Sequence, residues 1–481
     1  MASLGAVAAR GARVVMSAQM ARLAIQLGSL VVMSRLLTPQ QVGLVAMVTA
    51  VINVADLIRD FGLSSGAIQA KTLSRGERDN LFWVNLSLGL ACTLVAAAIA
   101  PLLALLYSEP KVTLVTWVLS VSFLISGATT QYRAGLTRAM RFRQIAAIDV
   151  GSQIVATATG ITMALNGFGY WAIVAQQLTM VSCALIGNVA LSAWVPRLPR
   201  RDVETKKFFR FGGPILGTNL LGYALNNIDN IGLGAVAGPA SVGLYSRAYQ
   251  LLMVPLGVLN GPMSGVAFPV LAKVQDDEER FVRFVRRFHL ISAYLFGLGF
   301  GVMAGLALPI VDILLGDKWN AAAPIVAVLA LGGIFKALTM VFYQVYVARG
   351  ATGELFKLYL RTRPIMLLLI LAGLPWGPLG VAWGHLVAAI WFWAYSLRRV
   401  AKLTALPIGE VTSESVRAVL LLSLPVALSA HFVTTLITNP WLQLLAGSGA
   451  VVAWCLVVLF IRPIRHDLQD VWSAVKPAFV R

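Results

Sequence analysis

The chain has 481 residues, of which 58% are hydrophobic and only 12% charged, and a formal net charge of +19. An average soluble domain carries roughly 25% charged residues, so a soluble globule of this composition could not cover its apolar surface, and most of its solvent must be lipid. The basic excess does not point to nucleic acid, because the lysines and arginines sit in short clusters between apolar runs and form no basic groove with interleaved aromatics.

A helix that spans a bilayer needs roughly 20 apolar residues. Such stretches follow one another over 14–36, 42–66, 82–107, 112–134, 148–168, 170–193, 212–236, 241–270, 288–316, 323–347, 364–375, 379–397, 416–437 and 442–461. They are too long and too unalternating for barrel strands, which makes the fold class an all-α membrane protein with about 14 transmembrane helices. The first run follows Arg10 and Arg13, has full spanning length and ends without a small-residue cleavage site, so it reads as a membrane helix and not a signal peptide. The eleventh run is short and is expected to be extended at its start. Cys92, Cys183 and Cys455 lie singly inside apolar runs and read as small buried hydrophobes.

Charge placement tests this division independently. With the N-terminus inside, the loops on that side hold all the basic clusters, from Arg10 and Arg13 to Arg462 and Arg465. The opposite side holds only Lys111 and Lys318, and Arg22, Arg35, Arg59, Arg133, Arg247 and Lys336 fall within spans. This asymmetry puts both termini on the cytoplasmic side of the membrane.

The chain also repeats itself. Thr38-Pro39-Gln40-Gln41-Val42-Gly43-Leu44 returns as Gly238-Pro239-Ala240-Ser241-Val242-Gly243-Leu244, Tyr132 with Thr137-Arg138 matches Tyr343 with Ala348-Arg349, and Phe168 to Ala172 loosely matches Leu379 to Trp383. The repeat predicts two parallel six-helix lobes around a central cavity. The expected organisation is an N-terminal lobe over 1–193, a cytoplasmic linker over 194–211, a C-terminal lobe over 212–397, a cytoplasmic loop over 398–415, two additional transmembrane helices over 416–461 and a cytoplasmic tail over 462–481. Asp276 to Arg287, and the tail with Leu468, Val471, Trp472 and Val475 on one face, read as interfacial helices.

Polar residues inside spans are costly unless they face protein or water. Gln19, Arg22, Gln26 and Ser29 mark one face of the first helix. Asn53, Asp56 and Asp60 mark one face of the second, with Arg59 beside them. Asn219, Tyr223, Asn226 and Asn230 mark one face of the seventh, with Asn227 and Asp229 close by, and Lys336 sits at the centre of the tenth. Structural readings stand beside this one. Asp56 and Arg59 can pair at i,i+3, the asparagines can join helices, and Arg35, Arg133 and Arg247 can snorkel from span ends. His385 and His431 read as packed or hydrogen-bonded. Arg22 and Lys336 have no acidic partner at helical spacing, which favours a cationic cavity. The candidate substrate-binding set is Arg22, Gln26, Asn53, Arg59, Asn219, Asn226, Asn230 and Lys336, and the candidate ion-coupling residues are Asp56 and Asp60. No nucleophile elbow, phosphate-binding loop or metal-ligand cluster occurs, so no enzyme activity, cofactor or metal is expected.

Several segments resemble the polysaccharide-exporter, Wzx-type lipid-linked oligosaccharide flippases of the MOP superfamily, relatives of the MATE exporters and of the lipid II flippase. They are Leu36 to Val45, Asp60-Phe61-Gly62-Leu63, Tyr170 to Gln177, Val242 to Gln250, Asn260-Gly261-Pro262, Phe268-Pro269-Val270-Leu271, Leu315 to Trp319 and Ala322-Ala323-Pro324-Ile325. Their order and spacing carry the likeness, which covers roughly 10–460 and is greatest for the branch serving exopolysaccharides such as colanic acid or succinoglycan. It implies a flippase that turns an undecaprenyl-pyrophosphate-linked oligosaccharide from the cytoplasmic to the periplasmic face by alternating access, with other polysaccharide assembly proteins as candidate partners. The family has no strict catalytic motif, so the charged site residues rest on their intramembrane placement alone. A MATE-like small-molecule exporter would want an acidic cavity, a membrane polysaccharide polymerase or ligase would want a large periplasmic loop, and a scaffold within an assembly complex is a third rival. Reporter fusions after residues near 110, 240 and 318 should report periplasm, and those near 75, 205 and 280 cytoplasm; inverted signals at two of these sites would break the helix count.

Overall fold

A computed structural model of the chain describes residues 4–70, 72–200, 205–262 and 267–479, with the side chains of 4–13, 258–262, 470, 472–479 and most of 206–226 outside that description. Among the described residues there are helices and no strand. Eleven stretches are long and apolar enough to cross a membrane. One of them, Thr352–Thr404, is two helices parted by a turn at Leu374–Trp376. The helix Lys206–Pro262 adds two more, because Gly238 breaks it with φ 74°. Among the described residues this brings the number of membrane-length helices to the fourteen expected from the sequence.

In chain order they are α1 (Leu4–Leu36), α2 (Pro39–Asp60), α3 (Arg75–Leu106), α4 (Lys111–Arg138), α5 (Phe142–Leu165), α6 (Trp171–Leu191), α7 (206–237) and α8 (239–262). Then follow α9 (Glu278–Gly305), α10 (Ala323–Ala348), α11 (Thr352–Leu371), α12 (Gly377–Thr404), α13 (Ile408–Thr435) and α14 (Pro440–Val458), and finally α15 (Arg462–Phe479) in the tail. Local chemistry sets the ends. Thr38 and Ser74 begin α2 and α3 with capping boxes to Gln41 and Glu77, which satisfy free N–H groups of the first turn. Phe61 and Gly62, both at positive φ, stop α2 and turn the chain into the short helix Leu63–Gln69, so the expected second span is broken near its end.

One sequence expectation is met and another changes. The eleventh helix begins at Thr352, twelve residues before its apolar run, and takes in Lys357, Arg361 and Arg363 that read as loop. Its first turns are held by ion pairs from Glu354 to Lys357 and Arg399, and Arg363 lies over the rings of Tyr359 and Phe392 at 4.6 and 5.5 Å. Asp276 to Arg287 is not a separate interfacial helix. Asp277 caps α9 by accepting from the Arg280 N–H (3.1 Å), and the basic stretch forms the first turns of that long helix, with Phe281 and Val285 buried. Hydropathy registers only the apolar part of a helix, whereas the hydrogen-bonded ladder runs on through charged turns.

The chain divides into two compact units, residues 1–243 and 244–481. The first unit takes in α7, which the repeat assigned to the second lobe. Phe209 packs on Phe61 (5.5 Å between rings), the Tyr223 hydroxyl donates to the Ala50 carbonyl (3.0 Å), and Gly234 lies against Tyr107 and Met47.

The sequence repeat has structural counterparts. In the first unit Arg138 donates to the carbonyls of Ala67 (2.6 Å) and Ala70 (2.7 Å), closing the end of the short helix after α2. In the second, its repeat mate Arg349 donates to the carbonyl of Gln275 (2.7 Å) and pairs with Glu278, just beyond the short helix Phe268–Lys273 that follows α8. The Pro-x-x-x-Gly segments meet each other inside the first unit. A methyl group on Gly43 would overlap the Pro239 carbonyl oxygen, and one on Gly243 would overlap the Pro39 carbonyl oxygen. Glycine is required there because two backbones touch.

Gly43→Ala is therefore expected to destabilise by about 1–3 kcal/mol or more, as overpacking against an unyielding backbone does. Gly28→Ala, which would meet nothing within 4 Å, is the neutral control. Thermal melting of the detergent-solubilised variants and their abundance in the membrane fraction measure both; equal melting of the two would remove the backbone contact as a constraint.

Candidate functional site

In the first unit two groups of intramembrane charges stand out. On α2, the Arg59 Nε donates to Asp56 (2.8 Å) and its Nη1 to the Thr130 hydroxyl of α4 (2.8 Å). Arg59 is 7% exposed, so its guanidinium is committed to these partners, and the i,i+3 pairing anticipated as the structural alternative is the one formed. Asp60 accepts from the Ser64 hydroxyl (2.9 Å). Asn53 is exposed and meets the Tyr223 hydroxyl.

The second group joins α1, α4 and α5. Arg133 forms a two-pronged pair with Asp149, at 2.6 and 2.9 Å, and Arg22 approaches the same carboxylate at 3.3 Å. Arg22, unpartnered along its own helix, thus has a partner 127 residues away. Arg133, read as snorkelling, is instead the stronger holder of Asp149. One carboxylate cannot neutralise two guanidiniums, so the cluster keeps one positive charge in excess. The side chains of Arg22 and Arg133 remain 37% and 43% exposed, against 15% for Asp149. A two-pronged guanidinium suits a phosphate as well as a carboxylate. Gln19 and Gln26 are exposed on α1 beside Arg22, and Ser29 is buried and accepts from Gln176 on α6 (2.9 Å).

On α7, the side chains of Asn219 and Asn226 lie outside the described residues. The Asn230 N–H donates to the buried Asp229 carboxylate (2.8 Å), and the Asn230 side-chain oxygen is buried without a hydrogen-bond partner.

In the second unit, Lys336 on α10 donates to the Tyr249 hydroxyl of α8 (3.1 Å), with its ammonium 5.2 Å from that ring. Tyr245 stacks one turn away from Tyr249 at 6.0 Å, and the His385 ring of α12 lies 5.8 Å from Tyr249 and 6.1 Å from Tyr245. The half-buried cation on α10 therefore sits against an aromatic group. Arg247, expected to snorkel, is 9% exposed, with Nη1 on Gln250 (2.7 Å) and its Nε buried without a partner. His431 is exposed, not packed.

Sequence reasoning missed Asp149, Thr130 and the Tyr245–Tyr249–His385 group as site residues. A lone aspartate at the start of an apolar run and two tyrosines at i,i+4 were the available signals. Neither names a partner, because the partners stand on other helices.

Residues 32–324 match the family described as polysaccharide biosynthesis protein. The chain belongs to this family. It is 24% identical over 75% of its length to the lipopolysaccharide biosynthesis protein WzxC of Escherichia coli (strain K12), covering 74% of that protein. It is 26% identical over 93% of its length to the succinoglycan biosynthesis transport protein ExoT of Rhizobium meliloti (strain 1021), covering 92% of it. Its fold is that of the lipid II flippase MurJ in an inward closed conformation, with a TM-score of 0.69 at 15% identity, over 92% of this chain and 98% of the other. The family member described here is thus a multi-pass membrane protein with the fold of MurJ.

Asp149→Asn should leave the two guanidiniums facing each other with weaker neutral acceptors, lowering stability by roughly 1–3 kcal/mol. Adding Arg133→Gln should recover part of that loss, because one of the repelling charges is gone. Melting of the single and double variants in detergent measures the coupling, and strictly additive effects would show that the three residues do not act as one cluster.

Proposed function

We propose that this chain is a flippase. Its substrate is an undecaprenyl-pyrophosphate-linked oligosaccharide repeat unit, moved by alternating access from the cytoplasmic to the periplasmic face of a bacterial inner membrane for exopolysaccharide or lipopolysaccharide biosynthesis. The observation that carries the reading is that a polysaccharide biosynthesis family member is built as a bundle of membrane-length helices with the MurJ fold. The names of its relatives, one a lipopolysaccharide biosynthesis protein and one a succinoglycan biosynthesis transport protein, support it.

The chemistry of the charges fits that cargo. Arg22 and Arg133 offer guanidinium forks with one charge uncompensated, suited to a pyrophosphate, and Lys336 beside Tyr249 offers a cation with an aromatic face, suited to a phosphate next to a sugar. Arg59, held by Asp56 and Thr130, is assigned to holding α2 against α4 and leaves the substrate-binding set. Asp60 stays as the candidate coupling residue for an ion gradient, since the sequence has no phosphate-binding loop through which ATP could drive transport. The chain moves its substrate without covalent chemistry. It works with both termini in the cytoplasm, in the six-helix lobes and linker set out by the repeat, and other polysaccharide assembly proteins are its candidate partners.

Polysaccharide secretion by cells carrying each variant, with membrane abundance measured alongside, tests the site. Arg22→Ala should reduce secretion by about tenfold or more, the value of one charge-assisted hydrogen bond. Arg22→Lys should also impair it, because an ammonium cannot copy the fork, and Lys336→Ala should have a milder effect. Normal secretion by Arg22→Ala at normal abundance would leave Arg22 as a structural partner of Asp149.

A further inference from the structure

At the ends of α3, α4 and α6, away from the charges described above, the chain builds a second cationic site. After α6 ends at Leu191, the segment from Ser192 to Arg200 folds back over the first turns of α3. Trp194 donates its indole N–H to Asp79 (3.1 Å), and Trp83 donates its own to the Arg197 carbonyl (2.8 Å). Asn80 holds Arg200 at both backbone groups, donating to its carbonyl and accepting from its N–H, each at 2.7 Å. This strap closes over a cavity of about 360 Å³ lined by Arg75, Arg78, Gly135, Arg141, Ser192 and Trp194 among others.

Three arginines around one cavity need a counter-charge. Among the described residues no carboxylate forms an ion pair with any of them. The acids nearby are fewer than the arginines: Asp79, which accepts from Trp194, acts on Arg78 through its charge, and Glu77 accepts from the Ser74 N–H at the start of α3. Arg78 stacks on Trp194, 3.9 Å from its ring, and donates from Nη2 to the Gln131 carbonyl (3.3 Å) and the Ser192 hydroxyl (3.5 Å), while its Nε is buried without a partner. Gly135 makes room for it, since a methyl group there would overlap the Arg78 guanidinium. Arg141 donates to the Leu191 carbonyl (3.2 Å). If Arg78 only stapled the strap, the cavity and two further exposed guanidiniums at its rim would have no purpose, and their mutual repulsion would oppose the fold. A phosphate in the cavity reverses the sign of that energy and uses the forked donors.

The surroundings select the source of the phosphate. Met140, Val195 and Leu198, next to the cavity residues in the chain, are large apolar side chains left 52%, 73% and 77% exposed. A free anion needs no such neighbours, whereas a lipid anchored by its headgroup covers them with acyl chain. We propose that this cavity binds the phosphate headgroup of an anionic phospholipid of the cytoplasmic leaflet. The site rests on the orientation given under the proposed function, which puts these helix ends on the side where anionic lipids and basic loops meet.

The test is lipid retention by the purified full-length chain, read by native mass spectrometry after titration with cardiolipin, phosphatidylglycerol or phosphatidylethanolamine. Wild type should keep one anionic lipid and no phosphatidylethanolamine. R75Q/R141Q removes two rim charges without touching the strap contacts of Trp194 and Asn80, and should weaken retention on the order of thirtyfold. R78Q should weaken it as well, and R398Q/R399Q, on α12, should not. Inorganic phosphate at millimolar concentration should not displace the lipid. Equal retention by wild type and R75Q/R141Q would overturn the site, and displacement by free phosphate would make it a soluble-anion site instead. A fusion at residue 75 reporting periplasm would overturn the leaflet assignment and the transport direction together. Loss of lipid by R75Q/R141Q with secretion still dependent on Arg22 would support this site separately from the cavity chemistry.

Discussion

Hydrocarbon offers no hydrogen-bond partner to a peptide group, and the rest of the structure depends on that constraint. Every backbone N–H and C=O at depth must be paired inside its own helix. Lipid tails are as apolar as leucine, so apolar side chains alone do not drive such helices together. Association needs close approach or polar contact. The chain supplies close approach with glycine. On α3 and α4, methyl groups on Gly89 and Gly127 would come within 2.6 Å of the carbonyl oxygens of Phe123 and Asn85, and Gly384 of α12 lies as near to the Leu369 carbonyl of α11. Gly43 and Gly243 take the same device to its limit and do so reciprocally, which explains why that segment occurs twice in the sequence.

Polar contact is the other means, and the charges divide according to how completely they are paired. Arg59 is buried and saturated by Asp56 and Thr130, and it ties α2 to α4. At the helix ends, Arg286 reaches Glu410 and Glu414 from α9 to α13. Asp467 of the tail helix accepts from both Arg417 (3.0 Å) and Tyr294 (2.7 Å), fixing α15 to the second unit. These pairs join helices and have structural roles. The Arg22–Arg133–Asp149 cluster and Lys336 are different, because each keeps positive charge that its protein partners do not cancel. An excess charge inside a membrane protein is costly to maintain unless an anion spends time beside it. The proposed cargo carries two phosphates and satisfies that requirement.

The repeat also separates structural from functional arginines. Arg138 and Arg349 stand at matching positions and do matching work, each fastening the segment that follows α2 or α8 through backbone carbonyls. A residue that serves the same purpose in both halves of a duplicated chain serves the fold. Arg22 and Lys336 lie outside the matched segments and hold different partners.

The sequence by itself determined the solvent and the number of membrane helices, because each is a property of composition along a line. Apolar run length reports bilayer thickness. Capping residues at Thr38 and Ser74 start their helices ahead of the apolar runs that begin at 42 and 82. Apolar run length misses a helix start where charged turns precede the apolar part, as at Glu278. Only the tertiary structure decided which charges are spent and which are free. Helical spacing relates a residue to its neighbours three and four positions away, so Asp56 with Arg59 was legible as a pair. It carries no information about a carboxylate on another helix. Asp149 beside Arg22, Tyr249 beneath Lys336 and the strap of Trp194 over Arg78 join residues 87 to 127 positions apart or helices separated by several turns of chain, and packing alone brings them together.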